Sequence, residues 1–97
     1  MNRSDLVDAI AERFAPLPRH DAEAAVRLIL DLMIEALEHG RRVEVRNFGR
    51  FVIKHRPART GRNPRTGASV QVPEKRTPHF KPGKALREAV DRAAVQA

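Results

Sequence analysis

The spacing of hydrophobic residues predicts two helices before residue 40. In SDLVDAIAERFA, residues 4–15, apolar side chains recur three and four positions apart and share one helical face: Leu6, Val7, Ile10, Ala11 and Phe14. Ser4 is the expected N-cap, and Pro16 and Pro18 end this helix. HDAEAAVRLILDLMIEALEHG, residues 20–40, predicts a longer second helix with Gly40 at the C′ position.

After Gly40 the pattern changes to a period of two, which indicates strands. RRVEVRNFGRFVIKH, residues 41–55, predicts a hairpin that turns at NFG and has Phe51 and Ile53 on one face. A further short strand ends at Phe80, and Pro82-Gly83 leads into a last helix with an inward apolar face formed by Leu86, Ala89, Val90 and Ala93. The order ααββ, an extended segment, β and α predicts an α+β fold in a single domain, residues 1–97.

The second predicted helix is more apolar than one small chain can cover. One stripe is formed by Val26, Ile29, Met33 and Leu37, and further apolar residues lie beside it: Leu28, Leu30, Leu32 and Ile34. A second chain that covers this surface is therefore expected, which predicts a dimer.

The segment RPARTGRNPRTGASVQVP, residues 56–73, has no Leu, Ile, Phe or Met, and it contains four arginines and no acid. Asn63-Pro64 and Thr66-Gly67 are turn signals between two extended flanks, so a two-stranded β-ribbon is predicted. A ribbon without apolar residues cannot pack on the body, and residues 54–76 should project as an arm. A solvated, disordered basic loop is the alternative explanation of the same composition.

The positive charge of the chain is concentrated in its middle. Residues 1–40 carry four basic and eight acidic side chains, whereas residues 41–84 carry thirteen basic and two acidic ones. A contiguous basic block of this kind normally faces a polyanion. Two basic arms on a two-fold dimer could bind on either side of a rod-shaped polyanion.

Other chemistries find little support in the sequence. The chain has no cysteine, and its four histidines lack metal-ligand spacing, so no metal site, cofactor or catalytic residue is expected. Charged residues interrupt the apolar clusters, which disfavours a membrane span, and the N-terminus resembles neither a signal nor a transit peptide. GRNPRTG lacks the Gly-Lys-Ser/Thr of a P-loop, and no small-molecule substrate is expected.

Three segments in this order resemble the bacterial HU/integration host factor family of histone-like DNA-binding proteins: RNFGRF at 46–51, GRNPRTG at 61–67 and PHFKPGK at 78–84. The resemblance covers nearly the whole chain. Within the family, RVEVRNFG and PHFKPGK are closer to beta-type integration host factor subunits than to the alpha type or to HU. The family resemblance implies an intertwined dimer, with a three-stranded sheet over a helical body and two arms in the minor groove of double-stranded DNA.

The resemblance also assigns roles to residues. Pro64 matches the wedge that intercalates between base pairs and kinks the duplex. The arm contacts are expected from Lys54, Arg56, Arg59, Thr60, Gly61, Arg62, Asn63, Arg65, Thr66 and Gly67. Arg46 should reach the minor groove, oriented by Glu44, in a base-preference trio completed by Arg42. Phosphates on the flanks of the body are expected to meet Arg3, Ser4, Lys75, Arg76, Lys81, Gly83 and Lys84, with the amides near Ser4 and Gly83 as anion sites.

Several alternatives remain open from the sequence. The partner chain is either an alpha-type subunit in a heterodimer or a second copy, as in HU. A basic RNA-binding or ribosomal-type protein would also carry such an extension, but it would be monomeric and indifferent to bent DNA. A nuclease would need an acidic metal site in the basic segment, where only Glu44 and Glu74 are acidic. The family resemblance implies a bacterial cytoplasmic protein bound to the nucleoid.

Overall fold

The computed structural model describes residues 1–96, in which three helices and five strands follow one another along the chain: α1 (Arg3–Arg13), α2 (Arg19–Glu38), β1 (Val43–Val45), β2 (Gly49–Arg56), β3 (Arg59–Arg62), β4 (Ser69–Val72), β5 (Lys75–Pro82) and α3 (Lys84–Gln96). The predicted α+β order is confirmed. Within this range no helix has the length and apolar character needed to cross a membrane.

The N-terminus of α1 is capped by Asn2, so the expectation that Ser4 is the N-cap was wrong. The Asn2 side chain accepts a hydrogen bond from the Asp5 amide at 3.1 Å, and the Asp5 carboxylate accepts one from the Asn2 amide at 2.9 Å. These two bonds form a capping box. Ser4 lies inside the helix and donates its hydroxyl to Asn2 Oδ1 at 2.7 Å.

The core between α1 and α2 is small. Val7, Ala22 and Val26 are its buried residues, with Ile10, Ala11 and Leu17 packed partly against them. Phe14 was expected on this face but is 69% exposed, because it is the C-cap and its backbone has already left the helix. At the surface, Arg19 Nε lies 2.9 Å from Asp8 Oδ1 and joins the two helices.

The helix α2 ends as the sequence predicted, and it leaves apolar surface uncovered. Gly40 has a φ of +75°, the left-handed conformation that favours glycine after a helix. Along α2 the single chain exposes a set of large side chains: Leu28, Ile29, Leu30, Leu32 and Ile34. The helical layer of one chain is therefore only partly covered.

An antiparallel sheet of order β1-β2-β5 forms the second layer. Its aromatic side chains cluster on one face, where the Phe80 ring lies 4.7 Å from that of Phe51 and 5.5 Å from that of Phe48. Gly49 allows this packing, since a Cβ there would lie 2.6 Å from the Phe80 ring and 2.7 Å from the Lys81 carbonyl oxygen. The strand expected to end at Phe80 is longer than predicted and continues to Pro82, because it pairs with the whole of β2.

The last helix begins where Pro82-Gly83 predicted, but its apolar face is not turned inward within the chain. Leu86 is half-buried, whereas Ala89 and Ala93 are exposed and Val90 is 63% exposed. The expected inward face was wrong for one chain, because α3 has no extensive packing on α1 or α2 within the described part of the chain. The apolar surfaces of α2 and α3 are thus both available to a partner.

The chain is elongated. Its radius of gyration is 19.6 Å, whereas a compact chain of this length has about 13 Å. Its longest dimension is 62 Å, against 36 and 26 Å along the other two axes.

Candidate nucleic-acid interface

The sheet has one apolar and one basic face. Strand alternation and register place Phe51, Ile53, Pro78 and Phe80 together on an inner face, which is directed at α2. The opposite, outer face carries the side chains of the alternate positions. Five of these side chains are cationic: Arg50, Lys54, Arg56, Lys75 and Lys81. Glu44 is their acidic neighbour, on β1. The outer face is therefore a positively charged surface that fits a polyanion.

Arg50 is a part of this surface that the sequence reasoning missed. The register sets it directly opposite Glu44 on β1 and opposite Lys81 on β5, so all three side chains stand in one row across the sheet. The period-two pattern of RFVIKH contained the signal, because it placed Phe51 and Ile53 on one face and Arg50 on the other.

The predicted base-preference trio lies at the edge of the outer face. Glu44 is the middle residue of β1, and its carboxylate lies 3.6 Å from Arg42 Nη2. Arg46 opens the turn between β1 and β2, in which Asn47 has a φ of +69°. In the isolated chain Glu44 thus pairs with Arg42, and it also faces Arg50 across the strands.

A cavity of about 340 Å³ joins this turn to the start of α3. Its lining includes Glu44, Arg46, Asn47, Arg50, Lys81 and Gly83. The Gly83 amide donates to the Phe48 carbonyl oxygen at 2.9 Å, which fixes the start of α3 against the turn. An anion at this helix terminus would therefore meet the amides that follow Gly83 and the three cationic side chains.

The other predicted anion site, at the start of α1, is occupied by the chain's own groups. The capping box uses the amides of Asn2 and Asp5 and adds the Asp5 carboxylate. Arg3 is exposed beside it. At α3, Lys84 Nζ lies 3.8 Å from the Glu88 carboxylate, so this cation also has a local partner.

The predicted ribbon arm is present, and it continues the sheet. Its register is constant, from Gly49 opposite Pro82, through Arg56 opposite Lys75, to Arg62 opposite Ser69. The ladder is interrupted at residues 57–58 and 73–74, where Pro57 and Pro73 have no N–H to donate. The arm is therefore two ladder segments separated by a joint.

The tip of the arm is a closed, hydrogen-bonded loop. Asn63 donates its amide to the Ala68 carbonyl at 2.8 Å and accepts at its own carbonyl from Gly67 at 2.7 Å. Its side chain also accepts from the Arg65 amide at 2.8 Å. Gly67 has a φ of +71°, and Thr66 Oγ1 accepts from the Ala68 amide. Pro64 is held exposed at the end of this loop.

The arm side chains divide between its two faces. Arg59 and Gly61 lie opposite Val72 and Val70, whereas Thr60 and Arg62 lie opposite Gln71 and Ser69. Arg65 is exposed at the tip. The arginines of the arm thus surround the ribbon on more than one side.

Arg76 was grouped with Lys75, Lys81 and Lys84 by the sequence, but the structure separates it from the cations of the outer face. In β5 it pairs with His55 and lies on the inner face, with its guanidinium near the C-terminal end of α2. The neighbouring Lys75 points to the outer face.

A basic sheet face, a preformed basic ribbon and an exposed proline at its tip define a class of protein: a nucleic-acid-binding protein of the β-ribbon type. A sequence profile described as "Bacterial DNA-binding protein" matches residues 1–91, and the chain belongs to this family.

Relatives and solved structures agree with this assignment. The chain is 56% identical over 91 residues to the integration host factor subunit beta of Burkholderia mallei, covering 94% of this chain and 85% of that one. A cocrystal structure of Anabaena HU with DNA is 41% identical, with a TM-score of 0.78 over 93% of this chain and 97% of that one. An HU mutant from Thermotoga maritima is 30% identical, with a TM-score of 0.66 over 93% and 99%.

Proposed function

We propose that this protein is an architectural DNA-binding protein, which grips the minor groove of duplex DNA with its arm and bends the duplex by inserting Pro64 between base pairs. The observation that carries the proposal is the exposed Pro64 on a hydrogen-bonded tip. From Arg56 at the end of β2 to Arg62 at the end of β3, six residues carry the tip roughly 20 Å beyond the sheet.

Pro64 is chemically suited to act as a wedge. It is compact and apolar, has no N–H that would need a partner inside the stack, and is already rigid. Unstacking one base step costs a few kcal/mol, and the bent duplex offsets this cost by bringing more phosphates to the protein.

The flanks of the bent duplex would then reach the outer face of the sheet. Lys54, Arg56, Lys75 and Lys81 are assigned to phosphates, together with Arg50, which stands in the same row as Lys81. Lys84 and the first amides of α3 form the second part of this contact, and Arg3 a more distant part. On the arm, Arg59, Arg62 and Arg65 are assigned to the groove and its phosphates.

The edge of the sheet supplies base preference. Arg46 is placed in the β1–β2 turn, from which it can enter the minor groove, and Glu44 orients it once DNA replaces or rearranges the pair with Arg42. Minor-groove reading distinguishes mainly A·T from G·C pairs, so the preference should be modest.

The active form is a dimer. The exposed side chains of α2 and α3 support this, because a small chain with three buried apolar residues in its described part needs further burial for stability. The likeness to a beta subunit favours a heterodimer with an alpha-type chain. The likeness to HU in its complex with DNA keeps an HU-like homodimer, with little sequence preference, as the second candidate.

A protein of this kind acts in the bacterial nucleoid. Sharp bends bring distant DNA sites together, which suits roles in nucleoid organisation, recombination, replication and the regulation of transcription and translation. No chemical step is required for these roles, and the protein is proposed to work without a cofactor.

Fluorescence transfer between the labelled ends of a short duplex tests this function. Saturating protein should raise the transfer, because bending shortens the end-to-end distance. Affinity should fall steeply with salt, with a log–log slope near −0.9 for each phosphate neutralised. A straight duplex at saturation, or tighter binding to structured RNA than to duplex DNA, would contradict the proposal and favour an RNA-binding protein.

A further inference from the structure

The base of the arm carries two adjacent cations that face opposite ways. Lys75 pairs with Arg56 on the outer face, and Arg76 pairs with His55 on the inner face. We propose that Arg76 is a positioning residue that ties the arm to the end of α2, and that it is not a phosphate ligand. This inference rests on the proposed use of the arm in DNA binding.

The contact of Arg76 with α2 is a helix C-terminal interaction. Its Nη2 donates to the Glu38 carbonyl oxygen at 3.4 Å. The last carbonyls of a helix lack intrahelical partners and form its negative end, so a guanidinium is favoured there. Gly40 lies beside this contact, since a Cβ at Gly40 would be in ordinary van der Waals contact with the same Nη2, at 3.6 Å.

Arg76 bridges a region where the two layers are not closely packed. A cavity of about 340 Å³ separates α2 from the inner face of the sheet, between Ile34 and Leu37 on one side and Ile53 and Pro78 on the other. Arg76 lines this cavity and reaches across it to Glu38. The orientation of the arm base relative to α2 therefore depends on this polar contact as well as on packing.

A second contact extends the brace to the joint of the arm. His55 Nε2 lies 3.1 Å from Glu74 Oε1, on the same inner face as Arg76. By the constant register, Glu74 falls opposite Pro57, within the interruption of the ladder. By itself, such an exposed pair shifts the equilibrium between a held and a released arm by less than about fivefold. Arg76 is therefore the main anchor and Glu74 the secondary one.

An arm whose orientation is already restricted loses less conformational entropy when it binds DNA. Holding a ribbon near its bound orientation lowers the ordering cost of binding, and it also directs Pro64 at one base step. Release of the anchor should widen the angular range of the arm and lower the bent fraction of the complex, without removing a phosphate contact.

Arg76→Gln and Lys75→Gln form a matched pair for the test, since they are adjacent and remove the same charge. In the free protein, ¹⁵N relaxation of the amides of residues 59–62 and 69–72 reports arm order, with residues 49–54 as the internal reference. With a short duplex, affinity against salt reports phosphate contacts, and end-to-end fluorescence transfer reports bending.

Lys75→Gln should flatten the salt slope by about 0.9 for each substituted chain in the complex and leave arm order unchanged. Arg76→Gln should leave the slope unchanged, lower the order parameters of the ribbon and reduce transfer at saturation. Glu74→Gln should loosen the ribbon more weakly, although it makes the protein more positive and so favours DNA binding.

Two results would overturn the inference. A slope change of about 0.9 for each substituted chain in Arg76→Gln would make Arg76 a phosphate ligand. An arm as ordered as in the parent would remove its positioning role. The relaxation measurement needs no DNA, so it tests the anchor even if the protein fails to bind a duplex, which would instead refute the proposed function.

Discussion

Ile34 provides the sharpest test of the proposed dimer. It lies in the exposed apolar part of α2 and is 60% exposed in the single chain. Ile34→Ala removes most of this surface without harming the helix, because alanine has the higher helix propensity. The substitution therefore acts mainly on association.

The size of the effect follows from the exposed fraction. Complete burial of such a side chain is worth about 1.5–3 kcal/mol. Covering the exposed 60% of Ile34 is then worth roughly 1–2 kcal/mol in each chain. A symmetric dimer contains two copies and should lose roughly 2–4 kcal/mol, a dissociation constant about 30-fold to several hundred-fold higher. A heterodimer contains one copy and should lose about half of this free energy.

Sedimentation equilibrium over a range of protein concentrations measures the change. Glu35→Ala is the control, since it replaces an exposed polar neighbour with the same residue. The parent and Glu35→Ala should dimerise alike, and Ile34→Ala should dissociate at higher concentration. An Ile34→Ala variant that associates as tightly as the parent would refute the idea that a partner covers this face.

Two further substitutions, each with its own control, test the sheet and its edge. Gly49→Ala places a Cβ 2.6 Å from the Phe80 ring and 2.7 Å from a backbone oxygen, so it should lower the free energy of unfolding by about 1–3 kcal/mol. Gly61→Ala meets a Val72 methyl at 3.2 Å and the Val70 carbonyl oxygen at an ordinary 3.7 Å, so it should lower the melting temperature less; equal melting temperatures would contradict this packing argument. Arg46→Ala should narrow the affinity difference between preferred and random duplexes more than Arg41→Ala does. Unchanged discrimination would leave Arg46 as an ordinary surface charge.

Local patterns were sufficient to predict the elements of the fold. The two helical periods, Gly40 after the second helix and the turn at Asn47 and Gly49 each depend on neighbouring residues, and the structure contains all of them. The arm was predictable for a related reason, because a segment without large apolar residues has no packing partner in the body.

Ser4 was mistaken for the N-cap because Asn2 and Ser4 are both good capping residues, and the Asp5 amide bonds to Asn2.

The faces of the sheet were harder to predict. Strand alternation alone relates residues within a strand, but the register of β2 with β5 decides which cations share a surface. Alternation within β2 separates Arg50 from Phe51, and alternation within β5 separates Lys75 from Arg76. The register then sets Lys81 and Lys75 on the face of Arg50 and leaves Arg76 on the other. The packing partner of the apolar face of α3 is not found within the described residues of one chain. The sequence of one chain therefore predicted the face but not the surface that it packs against.

The bend itself is the most direct test of the central claim. End-to-end fluorescence transfer on a short duplex should be compared at saturation for the parent and Pro64→Ala, after binding of both has been confirmed. Removal of the wedge leaves the cationic contacts in place, so Pro64→Ala should bind yet give transfer closer to that of the free duplex. Equal transfer for the two proteins would contradict intercalation by Pro64.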